Sequence, residues 1–209
     1  MKTRIVSLAI LCLTLAVIPA SAQWSYDNGP INGTTDAWTI NFGYIVSDTF
    51  TAGGATTGFS FGVWEFSGDA MSSVDWSITT AENGGTIIGS GTASGKNITD
   101  TFISSNQYGY DVDTIAVSGL NVATASGTSY WLNLQNATVP SGDPVFWDEN
   151  SGKGCGGAGC PSMASESAVG TVPGEAFTIG GGSTPEPSSI MLFGSGILGL
   201  AGVLRRKLF

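Results

Sequence analysis

Histidine is absent from all 209 residues of the chain, and cysteine occurs only three times. Without imidazole there is no histidine-dependent catalytic triad and no histidine-ligated metal site. Cys12 lies in the apolar N-terminal segment, which leaves Cys155 and Cys160 as the thiols of the remaining chain. Their spacing does not match the Cys-x-x-Cys pattern of redox enzymes, and zinc would need two more ligands that only carboxylates can supply.

Basic residues are also few, with 7 Lys and Arg against 16 Asp and Glu, for a net charge of −9. Between residues 23 and 182 the only cations are Lys96 and Lys153. Nucleic-acid binding requires a cationic surface that neutralises phosphates, so we expect no nucleic acid among the partners. An acidic surface is instead typical of a soluble exported domain.

The N-terminal segment has the three parts of a secretory signal peptide: a short basic start, an apolar run and a small-residue cleavage site. The cleavage site is formed by Ala20 and Ala22 around a serine. We therefore predict a signal peptide over residues 1–22 and a mature chain that begins at Gln23. The partner that such a segment requires is the secretion translocon.

Export also bears on the two remaining cysteines, which lie in the sequence Gly-Cys-Gly-Gly-Ala-Gly-Cys-Pro. Thiols become oxidised outside the cytosol, and a disulfide can close a small glycine-rich loop. The sequence therefore predicts a disulfide between Cys155 and Cys160.

Amphipathic helical patterns of ten or more residues are missing between residues 23 and 179, where the apolar residues follow period two. In the segment 58–66, Phe59, Phe61 and Val63 share one face of a predicted strand. Alternation or short apolar runs predict further strands at 38–42, 44–50, 74–80, 86–93, 98–103, 114–122, 130–135, 145–147 and 176–179.

Nine or ten short strands with frequent turns predict an all-β domain over residues 23–179, most simply a β-sandwich of jelly-roll type. A closed barrel is the alternative fold. Asn83-Gly84-Gly85 predicts a hairpin, because Asn and Gly accept the positive φ of tight turns. Residues 180–184 are predicted to form a glycine-rich linker.

A proline pair opens the last segment of the chain. Pro185 and Pro187 flank Glu186, and proline disfavours the helical region both for itself and for the preceding residue. The stretch is therefore predicted to be extended, which is the shape that a processing enzyme aligns with its own backbone.

An uncharged apolar run and a basic cluster follow this proline pair. The run predicts a transmembrane helix over residues 189–204, short for a span that averages about 20 residues. Arg205, Arg206 and Lys207 then place the end of the chain at a cytoplasmic membrane surface by the positive-inside rule.

Residues 185–209, with Pro-Glu-Pro, an apolar helix and a basic end in that order, resemble the PEP-CTERM sorting tail of exported bacterial proteins. The resemblance implies a membrane-embedded exosortase, a cysteine-type transpeptidase or protease, as processing partner. It also implies an inner-membrane-anchored precursor that moves to the cell envelope or the extracellular space. The same tail family carries the label "ice-binding protein C-terminal domain", but no regular Thr-x-Thr ladder predicts ice binding here.

Carboxylate pairs are the remaining candidates for catalysis. Glu65 with Asp69, or Asp148 with Glu149, could serve a glycan-active enzyme. A solvated acidic surface explains each pair more simply, so we predict no catalytic residue and no enzyme activity.

Aromatic residues are the stronger candidates for a ligand site. Trp64 and Trp131 lie on strand faces opposite the apolar stripes, and Trp147 lies in an aromatic and acidic loop beside the cysteines. Exposed rings can stack on sugars, so these three residues are predicted contacts to an extracellular polysaccharide. Burial of both sheet faces is the alternative explanation.

Calcium remains a third possibility, although we predict no cofactor and no defined metal site. Two sets of residues offer oxygen ligands. The first is Asp111 with Asp113, and the second, later in the chain, is Asp143, Asp148, Glu149 and Asn150. Neither matches a twelve-residue calcium loop. The expected function is thus an exported, non-catalytic β-sandwich with a structural or carbohydrate-contacting role, the alternatives being a glycan-active enzyme and a calcium-stabilised adhesin.

Overall fold

The computed structural model describes residues 24–150 and 164–181, and this part of the chain is all-β. A single turn of 3-10 helix, Gly95–Asn97, interrupts its strands. The strands are β1 (Trp24–Asp27), β2 (Ala37–Thr39), β3 (Ile45–Thr51), β4 (Thr56–Phe66), β5 (Ser73–Ala81), β6 (Gly84–Ser94), β7 (Ile98–Ser105), β8 (Tyr110–Val122), β9 (Ser129–Thr138), β10 (Phe146–Asp148), β11 (Ala164–Glu166), β12 (Gly170–Val172) and β13 (Phe177–Gly181).

Two antiparallel sheets contain these strands. The six-stranded sheet has the order β12-β11-β3-β9-β5-β6. In the seven-stranded sheet β4 is central: β8 pairs along one side of it, and β13 and β10 follow one another along the other. Strand β7 pairs with β8, β1 with β13, and β2 with β10.

The core lies between the sheets and is built by the predicted alternation. Phe59, Phe61 and Val63 from β4 are fully buried, as are Leu132 and Leu134 from β9 in the other sheet. They belong to one continuous cluster of buried apolar side chains. The all-β class and the β-sandwich are therefore confirmed, while the jelly-roll type stays a prediction.

The hairpin predicted at Asn83-Gly84-Gly85 is confirmed, with its tip one residue earlier. Ala81 pairs with Gly84 across the turn. Asn83 has a φ of 47° and Gly85 a φ of 83°, the left-handed region that these residue types tolerate best.

Other boundaries differ from the prediction. The strand expected at 38–42 ends at Thr39, because the chain turns there: Phe42 has a φ of 55°, and the Tyr44 amide donates to the Asn41 carbonyl at 3.0 Å. At the C-terminal end, Gly180 and Gly181 pair with β4, so the sheet includes the first two residues of the predicted linker.

Several predictions fall outside the described residues. These are the signal peptide with its cleavage site, the Cys155–Cys160 disulfide, the sorting tail with its transmembrane helix over 189–204, and the basic end. Across residues 24–150 and 164–181, the structure contains no helix with the length and hydropathy of a membrane span.

Candidate functional site

Five aromatic side chains gather on the outer surface of the seven-stranded sheet, and we call them the aromatic face: Trp64, Phe66, Tyr108, Tyr110 and Phe146. They meet because β4 lies between β8 and β10, which sets residue 66 opposite 110 and residue 64 opposite 146. The Trp64 and Tyr108 rings stack at 5.6 Å, and Tyr110 contacts Phe66 at 5.1 Å and Phe146 at 5.5 Å.

Two rings of the aromatic face are open to solvent. Tyr108 is 55% exposed and Phe66 is 40% exposed, whereas Trp64, on which Tyr108 stacks, is only 6% exposed. The turn that carries Tyr108 is fixed by Asn106, whose side-chain oxygen accepts the amides of Tyr108 and Tyr110, each at 3.0 Å. The face therefore presents two open rings on a rigid support.

The three tryptophans predicted as ligand contacts lie in different environments. Trp147 is fully buried between Phe61 and Phe177, which corrects the expectation of a ligand contact, because neither of its faces is open. Trp64 supports the aromatic face from below, and half-buried Trp131 lies on β9 of the opposite sheet. The structure does not bring the three together.

Asp148 holds the segment 28–36 against the outer surface of the seven-stranded sheet. Its carboxylate accepts the amides of Asn32 at 2.8 Å and Gly33 at 3.1 Å, and the Trp64 indole at 2.6 Å. Burial raises the pKa of Asp148 to about 6, while these three donors act in the opposite direction. Both oxygens thus accept N–H groups of the chain itself, and these hydrogen bonds fasten the segment 28–36 to the sheet.

Glu175 lies beside this support in a fully buried position. Its amide donates to Asp48 at 2.6 Å, and its carbonyl accepts the Asn28 side chain at 2.8 Å. Neither oxygen of its carboxyl group has a hydrogen-bond partner. Burial, followed by the nearby carboxylates of Asp48 and Glu149, raises the pKa of Glu175 well above its usual range.

A second buried acidic group, which we call the inner acidic cluster, consists of Glu65, Asp100 and Asp113. Each residue offers one carboxylate oxygen, and these oxygens lie within 4.8 Å of one another. The residues come from β4, β7 and β8, three neighbouring strands of the seven-stranded sheet. Among the described residues, this is the group whose spacing suits a metal ion.

Burial dominates the electrostatics of the inner acidic cluster. It raises the pKa of Glu65 to about 8, and the carboxylates of Asp100 and Asp113 add to the effect. Burial likewise raises the pKa of Asp113 to about 6 and raises that of Asp100, where the Met71 amide opposes it.

The other acidic candidates from the sequence are scattered. The Asp111 carboxylate accepts the Ser105 hydroxyl at 2.9 Å, and this hydrogen bond is the largest cause of the lowered pKa of Asp111. Asp69 accepts the Ser141 hydroxyl at 2.5 Å, and the Asp143 carbonyl accepts the Asn41 side chain at 3.0 Å. Among the described residues, Asp143, Asp148 and Glu149 do not lie close enough together to share a metal ion.

Sequence reasoning missed the role of Tyr108, Tyr110 and Asp100. The burial of Glu65 and Asp113, by contrast, is indicated by the sequence. Glu65 follows Phe61 and Val63 at period two, and Asp113 precedes Ile115 and Val117 in the same way, so each carboxylate occupies a position where an apolar residue is expected. The pairing of β4 and β7 with β8 could not be predicted, because the local sequence pattern does not indicate which strands lie side by side.

The comparisons with known proteins bear on the tail. Residues 183–207 match a family model described as the PEP-CTERM protein-sorting motif. The chain carries a PEP-CTERM sorting tail. A search of curated proteins gives no match.

The PEP-CTERM tail confirms the resemblance drawn from the Pro-Glu-Pro stretch and the basic end. It implies an exported protein with an exosortase as its processing partner. The match spans only this segment, so the β-sandwich must be interpreted from its own geometry.

Proposed function

We propose that this chain is an exported protein whose β-sandwich binds an extracellular polysaccharide without cleaving it. Before processing, the PEP-CTERM tail anchors the precursor in the inner membrane, and an exosortase then releases the protein to the envelope or the extracellular matrix. The observation that carries the binding proposal is the aromatic face, with exposed Tyr108 stacked on buried Trp64 and exposed Phe66 in contact with Tyr110.

The shape of this face suits a sugar polymer. Tyrosine and phenylalanine rings present flat apolar surfaces against which the C–H faces of sugars pack, and exposed apolar patches of this kind usually mark binding sites. The Asn106-fixed turn lowers the entropy lost on binding, because the Tyr108 backbone is already ordered.

The charge of the chain favours a neutral polymer over an acidic one. The chain has a net charge of −9, and Lys96 is the only basic residue between 24 and 150. Like charges repel at a binding surface, so an anionic polysaccharide would approach against the field of the protein.

Affinity electrophoresis of the exported protein in gels containing neutral or acidic polysaccharides tests this proposal. We expect retardation by at least one neutral polymer, and Tyr108→Ala and Phe66→Ala should each weaken it by roughly threefold to tenfold, the value of one aromatic contact. Phe42→Ala is the matched control, because Phe42 is 64% exposed but lies outside the aromatic face.

Three results would contradict the proposal. Retardation unchanged in both aromatic-face variants places binding elsewhere, and loss of retardation in the Phe42 control instead points to the turn at residues 41–44. Release of new reducing ends from a retained polymer would identify a glycan-active enzyme.

A further inference from the structure

The inner acidic cluster is placed by strand register on the core side of the seven-stranded sheet. Glu65 continues the stripe of Phe61 and Val63, and residue 63 pairs directly with Asp113 on β8. Asp100 on β7 pairs with Ile115, another fully buried core residue. Three carboxylates thus point inward from adjacent strands at one end of the sandwich.

Glu65 supplies an observation independent of this clustering. Its side chain is fully buried, and neither carboxylate oxygen has a hydrogen-bond partner. Asp113 is 3% exposed, and its Oδ1 also lacks a partner. Buried polar atoms nearly always have partners, so oxygens directed at one another without donors indicate a ligand that supplies positive charge.

The protein itself offers little positive charge to this group. Lys96 is the only basic residue within 24–150 and 164–181, and it lies exposed in the 3-10 helix before β7. A charged neighbour of the cluster is acidic as well, because Asp111 on β8 pairs directly with Glu65 on β4.

We propose that Glu65, Asp100 and Asp113 bind one Ca²⁺ ion. All three ligands are hard anionic oxygens, and calcium at 2.3–2.6 Å from each ligand can bridge oxygens up to about 5 Å apart. Mg²⁺ retains more of its water and is rarely held by an all-protein cage, so it fits a buried site of three carboxylates less well.

The ion stabilises an edge of the sandwich. β7 pairs only with β8 within the described part of the chain, and most of its side chains are exposed. Ca²⁺ links β7 to β4 and β8, and through the 2.6 Å contact from the Met71 amide to Asp100 it also fixes the turn after β4. This role is separate from polysaccharide binding, because the cluster and the aromatic face lie on opposite sides of the same sheet.

Calcium titration of the exported protein, first treated with a chelator, tests the site. Isothermal titration calorimetry with CaCl₂ should give one ion per chain, with a dissociation constant of about 10⁻⁴–10⁻³ M, as in extracellular calcium modules. The melting temperature should rise by roughly 3–6 °C at about tenfold excess over that constant. MgCl₂ at the same concentration should raise it less.

Variants locate the ion. Glu65→Gln and Asp113→Asn keep the side-chain shape and should remove the calcium-dependent shift. Glu175→Gln is the matched control, because it changes an equally buried and unpartnered carboxyl group outside the cluster, and it should retain the shift. Equal melting in calcium and chelator, an undiminished shift in both cluster variants, or an equal effect of Mg²⁺ would overturn the assignment.

Discussion

Glu175 carries the clearest pH dependence at the scale of single residues. Its folded-state pKa is raised by burial, so the folded protein retains a proton that the unfolded chain releases above its ordinary pKa. Folding stability must then fall as pH rises above the ordinary glutamate range, because the folded state binds more protons than the unfolded state.

Glu175→Gln removes this titration and leaves a neutral side chain of the same shape. We expect the variant to lose less stability than the parent chain between pH 5 and pH 8, with the difference between them growing as pH rises. Denaturant unfolding of both proteins at several pH values measures it. Parallel stability curves would show that Glu175 does not carry the dependence.

The inner acidic cluster shows what residue patterns can and cannot reveal. Glu65 was interpreted as part of a solvated acidic surface, which its complete burial contradicts; its place on the stripe of Phe59, Phe61 and Val63 was the sequence signal for that burial. Its meeting with Asp100 was not predictable, because it depends on the pairing of β7 with β8. Trp147 shows the opposite limit: the strand at 145–147 was predicted, but Trp147 was expected to contact a ligand, whereas it lies fully buried in the core.

At the scale of elements, β4 is unusual in being covered on both faces. Its inward side chains enter the core, while Gly62 faces outward beneath Ile31 of the segment 28–36. A Cβ at Gly62 would lie 2.7 Å from Ile31 Cγ1 and 3.1 Å from Asp148 Cβ. Glycine is therefore required there for close packing.

Gly62→Ala should displace Ile31 and loosen the segment that Asp148 holds. We expect a loss of about 1–3 kcal/mol in the free energy of unfolding, the usual cost of overpacking. Gly84→Ala is the control, since the nearest atom to its added Cβ is 3.9 Å away, and it should change stability by less than about 0.5 kcal/mol. Similar losses in thermal unfolding of both variants would disprove the packing explanation.

The local sequence pattern predicted the long strands well and missed several of the short ones. β4, β5 and β9 alternate over many residues and were found with nearly correct bounds. β1, β11 and β12 have three or four residues each, and they exist because a partner strand supplies hydrogen bonds, which no local periodicity records. Gly180 and Gly181 appeared linker-like for the same reason, although β4 pairs with them.

At the scale of the whole molecule, the charges of the domain and the tail are segregated. The described β-sandwich contains one basic residue, whereas Arg205, Arg206 and Lys207 cluster at the end of the chain. A basic cluster beside an apolar run is the pattern that fixes orientation in a membrane, and it belongs to the sorting motif at residues 183–207. The sorting motif and the proposed polysaccharide site therefore lie in separate parts of the chain and can be tested separately.

Replacement of Pro185, Glu186 and Pro187 by alanine should abolish processing while leaving the β-sandwich intact. The three alanines keep the length of the tail but remove the rigid extended stretch, so the exosortase loses the backbone shape it would align. We expect the variant to accumulate in the membrane fraction at precursor mass. Alanine at Ser188 and Ser189 is the control, because it leaves Pro-Glu-Pro unchanged and should still yield the processed, released protein. Mass spectrometry of membrane and medium fractions distinguishes the two, and release of the triple-alanine variant at the processed mass would show that this motif does not direct sorting.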